Sequence, residues 1–98
     1  MKTLHLVLAY KWFDKIKSGE KTKEYREMKP YWNRKFGLTL EKKYDKVRFQ
    51  RGYAKNPETI LFGIKKIHQS WNKPNDLNLP NVWVIELGER LLEAKNDK

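Results

Sequence analysis

Residues 3–9, Thr-Leu-His-Leu-Val-Leu-Ala, put Leu4, Leu6 and Leu8 at every second position, a period that fits a strand with one buried face and not a helix. His5 and Val7 fall on the other face, and with no acid or nucleophile beside it in sequence His5 reads as a partly buried packing residue. Residues 46–53 repeat the pattern, with Val47, Phe49 and Arg51 on one face and Arg48, Gln50 and Gly52 on the other. Residues 59–68 read as a further strand with Gly63 at a bulge or bend, a device that curls a small sheet. Residues 81–88 read as the closing strand, Val82, Val84 and Glu86 opposite Trp83, Ile85 and Leu87.

Between these runs the period changes. Tyr10 to Ser18 suits a helix of about two turns, with Trp12, Phe13 and Ile16 on one face and Lys11, Lys15 and Ser18 on the other. Gly19 follows, where a left-handed residue ends a helix. Trp32 and Phe36, four apart within residues 28–37, form a helical packing pair. Residues 39–46 read as a polar loop, and 54–58 as a turn on their Asn-Pro step. Residues 69–80, with Ser70, Trp71, Asn72, Pro74, Asn75, Asp76, Asn78 and Pro80, read as one irregular loop of about 12 residues, long enough to mark a lid or binding loop. Residues 89–98 are read as a short helix around Leu91 and Leu92, fraying through Asn96, Asp97 and Lys98. No repeat, linker or glycine-rich phosphate loop interrupts the 98 residues, so 1–98 reads as one α+β domain with a curled sheet.

Composition narrows the class. With 39% hydrophobic and 13% aromatic residues the chain can bury a core and is no disordered tail. No apolar run approaches the roughly 18–20 residues of a membrane span, and Met1-Lys2-Thr3-Leu4 lacks a signal-peptide layout; a cytoplasmic, monomeric protein away from membranes is expected. The absence of cysteine excludes disulfides, and with His5 and His68 the only histidines neither a metal nor a cofactor is expected. The net charge of +10 is concentrated before residue 67, since 67–98 hold five acids against four bases. Such a basic surface favours polyanions, phosphate backbones foremost; a solubilising lysine coat is the plain alternative.

The stretch Gly19-Glu20-Lys21-Thr22-Lys23-Glu24-Tyr25-Arg26 is where a site would form. As an ideal strand it carries Lys21, Lys23 and Tyr25 on one face and Thr22, Glu24 and Arg26 on the other, so a carboxylate neighbours a guanidinium. It is either an edge strand whose charges prevent edge-to-edge pairing, or a strand whose Gly19 lets backbone approach a ligand. Two other places carry the same ambiguity. Tyr31 and Trp32 interleave with Arg34 and Lys35, either as packing or as a surface for stacked bases, with Tyr31 the better stacking residue. Arg48 and Gln50 point off the apolar face of their strand, either to solvent or to a rim that hydrogen-bonds a base or phosphate.

Gly19, Lys21, Glu24 and Arg26 match the G-x-K-x-x-E-x-R signature of the ASCH (activating signal cointegrator homology) domain, a branch of the PUA-like superfamily. An apolar opening strand, a short helix, the signature strand and a closing strand through Val82–Leu87 come in an order that resembles that family over most of the chain. The resemblance implies a small PUA-like β-barrel of about five or six strands with two or three short helices, and a basic cleft beside the signature strand. The implied ligand is RNA or a nucleotide, with DNA as a further partner. Lys21 and Arg26 would contact phosphate or base, and Glu24 would accept hydrogen bonds from a base or orient Arg26. Gly19, Tyr31, Arg48, Gln50, Arg51, Tyr53, Lys55 and Trp71 would supply further contacts. Because alternation separates Lys21 from Glu24 and Arg26, either a bulge joins them or Lys21 sits in a turn before alternation begins.

A small hydrolase is the alternative. Some members of the family remove acyl groups from N4-acylated cytidines with a lysine in this motif, a threonine three residues on and a downstream glutamate. Lys21 matches, Glu24 stands at the threonine position, and the downstream loop offers Asp76 and no glutamate, which argues against that activity. Ribonuclease activity is also associated with the family; Glu24 would then act as the acid–base group, with Lys21 or Arg26 stabilising the phosphorane. A protein–protein adaptor would instead expose an apolar patch around Tyr31, Trp32 and Trp71.

Overall fold

The computed structural model describes residues 2–37 and 44–93. The alternating N-terminal run forms β1 (Lys2–Leu8), followed by α1 (Tyr10–Lys17), β2 (Lys23–Glu27), α2 (Pro30–Phe36), β3 (Tyr44–Arg51), β4 (Thr59–Trp71) and β5 (Asn81–Leu91). The five strands make one sheet in the order β1-β3-β4-β5-β2, with β1 parallel to β3 and every other pair antiparallel. The sheet curls into a half-barrel whose edges are β1 and β2, in keeping with a small barrel-like α+β fold. Among the described residues, no helix is long and apolar enough to cross a membrane.

The curl has a local cause in the β4–β5 ladder. Register slips between Phe62 and Ile64 and slips back between Ile64 and Lys66, so the extra residues on the two strands cancel and the pairing from Lys66 to Trp71 resumes its first register. Gly63 and Gly88 meet there; a β-carbon on Gly88 would lie 3.4 Å from the Gly63 carbonyl oxygen. A bulge at Gly63 is thus where the sequence puts it.

The concave face is the core. Leu4, Leu6 and Leu8 from β1, Val47 and Phe49 from β3, Ile60 and Ile64 from β4, and Ile85 and Leu87 from β5 form one cluster with Phe13 and Ile16 of α1. Since β1 and β2 lie on opposite edges, the chain between them must cross the sheet, and α1 packs on β1 and β3 as it does so. Phe13 is completely buried; a Phe13→Ala change would cost about 3–5 kcal/mol. β5 lies between β4 and β2 and is buried on both faces, which is why Val82-Trp83-Val84-Ile85 reads as an unbroken apolar run. α2 docks by aromatic contacts: Trp32 stacks on Phe36 at 5.5 Å, Phe36 meets Trp83 at 5.6 Å, and Trp83 Nε1–H donates to Asn33 Oδ1 at 2.8 Å.

Several boundaries differ from the sequence reading. β3 begins at Tyr44, so residues 44–46 are strand and not loop, and it ends at Arg51, leaving Gly52 and Tyr53 in the following turn; residues 39–43 lie outside the described residues. Trp71 is the last residue of β4, paired with Asn81, so the loop is shorter than read and covers 72–80. The expected helix from residue 89 is strand as far as Leu91, because Arg90 and Leu91 pair with Phe62 and Leu61; residues 94–98 lie outside the description. His5 is exposed, with its Nε2 3.2 Å from Gln50 Oε1.

Gly52 shows a constraint that the pattern does not reveal. Its φ is +65°, and a β-carbon there would collide with the Tyr10 ring. Gly19 has φ +87° but open space around it. Gly19→Ala is therefore expected to lose about 1 kcal/mol, the strain of left-handed backbone alone, and Gly52→Ala roughly twice that with Tyr10 displaced. Urea denaturation of the two variants checks the difference.

Candidate functional site

Lys21 is fixed by backbone on both sides before its side chain is considered. After α1 ends in the left-handed turn at Gly19, the Lys21 amide donates to the Lys15 carbonyl at 3.0 Å. The next residue, Thr22, accepts from the Leu87 amide at 3.0 Å. β2 starts only at Lys23, so Lys21 sits in the turn, where strand alternation does not govern its direction. This resolves the separation of Lys21 from Glu24: of the two alternatives, the turn holds.

The Lys21 side chain enters a cluster drawn from three elements, α1, β2 and the 72–80 loop. Its Nζ lies 3.5 Å from Glu24 Oε1, in contact with Asp76 Oδ2, 4.8 Å from the centre of the Tyr25 ring and 5.3 Å from that of Trp12. Only 8% of the Lys21 side chain is exposed. Lys11 and Lys15 also set their ammonium groups over Trp12, at 4.7 and 5.6 Å. A cation over an indole is worth about 0.5–1 kcal/mol when exposed and more when shielded from water.

Glu24 is the sole buried charged residue among those described, 6% exposed, because β2 pairs it with the core residue Ile85. Its second oxygen takes a 2.8 Å bond from Arg26 Nη2, and the Arg26 guanidinium lies 5.2 Å above the Trp32 ring. Arg26 Nε is buried with no hydrogen-bond partner among the described residues. Burial pushes the Glu24 carboxyl above its ordinary value against the pull of Arg26 and Lys21. Burial also raises Tyr25, with Asp76, Glu24 and Glu86 adding to it.

Asp76 comes from the 72–80 loop, and Asn75 is what shapes that loop. Asn75 Oδ1 accepts from the amides of Leu77 at 3.0 Å and Leu79 at 3.4 Å, while its Nδ2 donates to the carbonyls of Lys73 at 3.0 Å and Leu79 at 2.7 Å. Asn72 and Asn78 take left-handed backbone at φ 55°. Trp12, Lys15, Glu20, Lys21, Thr22, Lys23, Tyr25 and Asp76 line a cavity of about 360 Å³ open to solvent.

Of the residues singled out in sequence, Lys21, Glu24 and Arg26 come together here, with Gly19 in the turn that precedes them. The others lie elsewhere. Arg48 bonds Glu93 at 2.8 Å, and Gln50 donates to the Gly52 carbonyl at 2.7 Å, both on β3, which β4 and β5 separate from β2. Arg51 holds Asp14 through two bonds of 2.8 and 3.0 Å and covers the Tyr10 ring at 4.1 Å. Tyr31 stands edge-on to Trp32 at 4.7 Å with half its surface exposed; Tyr53 is exposed in the turn after β3 and Trp71 at the end of β4. Trp12, Tyr25 and Asn75 were not picked out for the site. Trp12 reads as a core residue by its helical position, and nothing in the sequence marks Asn75 among its neighbouring asparagines.

Fold and cleft define a small α+β domain with a five-stranded half-barrel and a lysine held between carboxylates and aromatic rings at its β2 edge. Scans against family models, curated proteins and solved structures return no match to this chain.

The Glu24 carboxyl holds its proton more tightly in the folded than in the unfolded chain. Its contribution to stability is therefore complete below about 4.5 and is lost as pH rises through the raised folded value. A carboxyl ¹³C titration should give a midpoint above 4.5, and Glu24→Gln should remove this part of the pH dependence. Glu24→Ala leaves Arg26 without its carboxylate and should cost about 2 kcal/mol, part of which Arg26→Met in the same chain restores.

Proposed function

We propose that this chain is an ASCH-like, PUA-like domain that binds RNA or a nucleotide, with one base taken into the cleft beside β2. The observation that carries the reading is the setting of Lys21: a nearly buried ammonium with Glu24, Asp76, Tyr25 and Trp12 around it. A lysine placed to neutralise phosphate would stand free in solvent; this one is arranged to present an N–H donor in a shielded cleft. Its neighbours complement a base. Trp12 and Tyr25 offer ring faces for stacking, and Asp76 accepts from an exocyclic amino group while the buried Glu24 holds Lys21 from behind. The cavity, about 360 Å³, is the size of a small-ligand site. Lys23, exposed at the rim, is the phosphate contact, and Arg26 acts by holding Glu24.

A second reading, a small hydrolase, is favoured by one contact. Asp76 lies against Lys21, as the downstream carboxylate of the resembled amidohydrolases would lie near their lysine. Glu24 stands where their threonine is expected and is tied to Arg26, so the hydroxyl of that set has no counterpart at its position.

Titration of the labelled domain with mononucleotides and short single-stranded RNA tests both readings. Lys21→Met should weaken binding about tenfold with the salt dependence unchanged. Lys23→Ala should reduce the slope of log affinity against log salt by about 0.7. Intact RNA on a denaturing gel, and N4-acylated cytidine left unhydrolysed by the same sample, favour the binding domain; cleavage of either substrate that Lys21→Met abolishes favours the enzyme. No binding by any of these ligands contradicts both.

A further inference from the structure

A second aromatic and basic surface lies across α1 from the cleft. By helical spacing Trp12 is on one flank of α1, Tyr10 and Asp14 are on the other, and Lys11 and Lys15 form the crest between them. On the far flank the Tyr10 ring packs against Gly52, whose missing side chain makes room for it, and the Arg51 guanidinium covers that ring at 4.1 Å. The neighbour of Gly52 is Tyr53, 85% exposed, while Tyr10 is 50% exposed. Tyr10, at the start of α1, thus packs on the residue next to Tyr53 in the β3–β4 turn, which also carries the exposed Lys55.

The charge on this surface is one-sided once its pairs are removed. Asp14 is held by Arg51 through two bonds, Glu58 by Lys17 at 2.5 Å and Glu20 by Lys15 at 3.5 Å. Lys11 and Lys55 have no carboxylate partner among the described residues. Rings for stacking, a crest of lysines and acids already neutralised are the features of a surface that takes single-stranded nucleic acid without reading its sequence.

Resting on the reading of the cleft as a base site, we propose that the ligand is a single-stranded oligonucleotide that crosses α1. One base enters the cleft at Lys21, the phosphate backbone passes over the unpaired Lys11, and a following base stacks on the exposed Tyr53. The span is one helix, about 10–12 Å across with side chains, so roughly four nucleotides complete the contact. A free nucleotide reaches only the first part of this surface.

The experiment compares the four mononucleotides one by one with a hexanucleotide RNA of random sequence, by Trp fluorescence and amide NMR, for the wild type, Tyr53→Ala and Lys11→Ala. The hexanucleotide should bind at least tenfold tighter than the best mononucleotide. Tyr53→Ala should weaken the hexanucleotide about tenfold while leaving mononucleotide affinity unchanged, and Lys11→Ala should weaken the hexanucleotide about threefold. If the hexanucleotide binds no tighter than a mononucleotide, or Tyr53→Ala leaves it unaffected, the path over α1 is wrong while the cleft reading stands. If no nucleotide of any length binds, the cleft reading fails and this one with it. A polyglutamate peptide that binds as tightly and is equally sensitive to Tyr53→Ala overturns the proposal in favour of a protein-docking surface.

Discussion

A carboxylate taken into the core face of a sheet is unstable there unless cations accompany it, and the architecture around β2 follows from that requirement at Glu24. Arg26 lies two residues on, on the same face, and reaches Glu24 along the strand. Lys21 comes from the turn before the strand, and it can do so because Gly19 ends α1 in left-handed backbone and folds the chain back on Lys15. Each cation is in turn backed by an aromatic ring: Arg26 by Trp32, and Lys21 by Tyr25 and Trp12. The rings belong to α2, β2 and α1, so one buried charge ties both helices to the same edge of the sheet.

The same arrangement accounts for the cleft. Glu24 meets the Lys21 ammonium from inside the half-barrel and Asp76 meets it from the loop, whose shape depends on the four hydrogen bonds of Asn75. Most of the residue types that stack and hydrogen-bond a base therefore have a structural task as well, and the ligand would enter a site already organised by the fold. Such preorganisation limits the ordering cost of binding.

The strands were legible where burial is one-sided. Leu4, Leu6 and Leu8 alternate because β1 has one core face, and Val47 and Phe49 do the same in β3. The ends of elements were less so: Trp71 and Leu91 extend β4 and β5 by pairing with Asn81 and Leu61, contacts between residues too far apart for any local pattern to carry. In the candidate site, Lys21, Glu24 and Arg26 were legible as a motif, and the turn geometry that joins them was one of two alternatives. Asp76 is 55 positions from Lys21, and its contact depends on how the loop folds around Asn75. Trp12 was hidden by its own helical position, since an aromatic beside Phe13 and Ile16 reads as core; it does pack against that core, and from the flank of α1 it lines the cleft as well.

The most direct measurement is a ¹H–¹⁵N correlation spectrum of the lysine side-chain ammonium groups at neutral pH, with and without nucleotide. Shielding by the carboxylates and rings predicts that Lys21 gives a signal protected from solvent exchange and shifted by the Trp12 and Tyr25 ring currents, and that this signal moves first when nucleotide is added. A Lys21 ammonium that exchanges as fast as Lys55, and that nucleotide leaves untouched, would contradict the account.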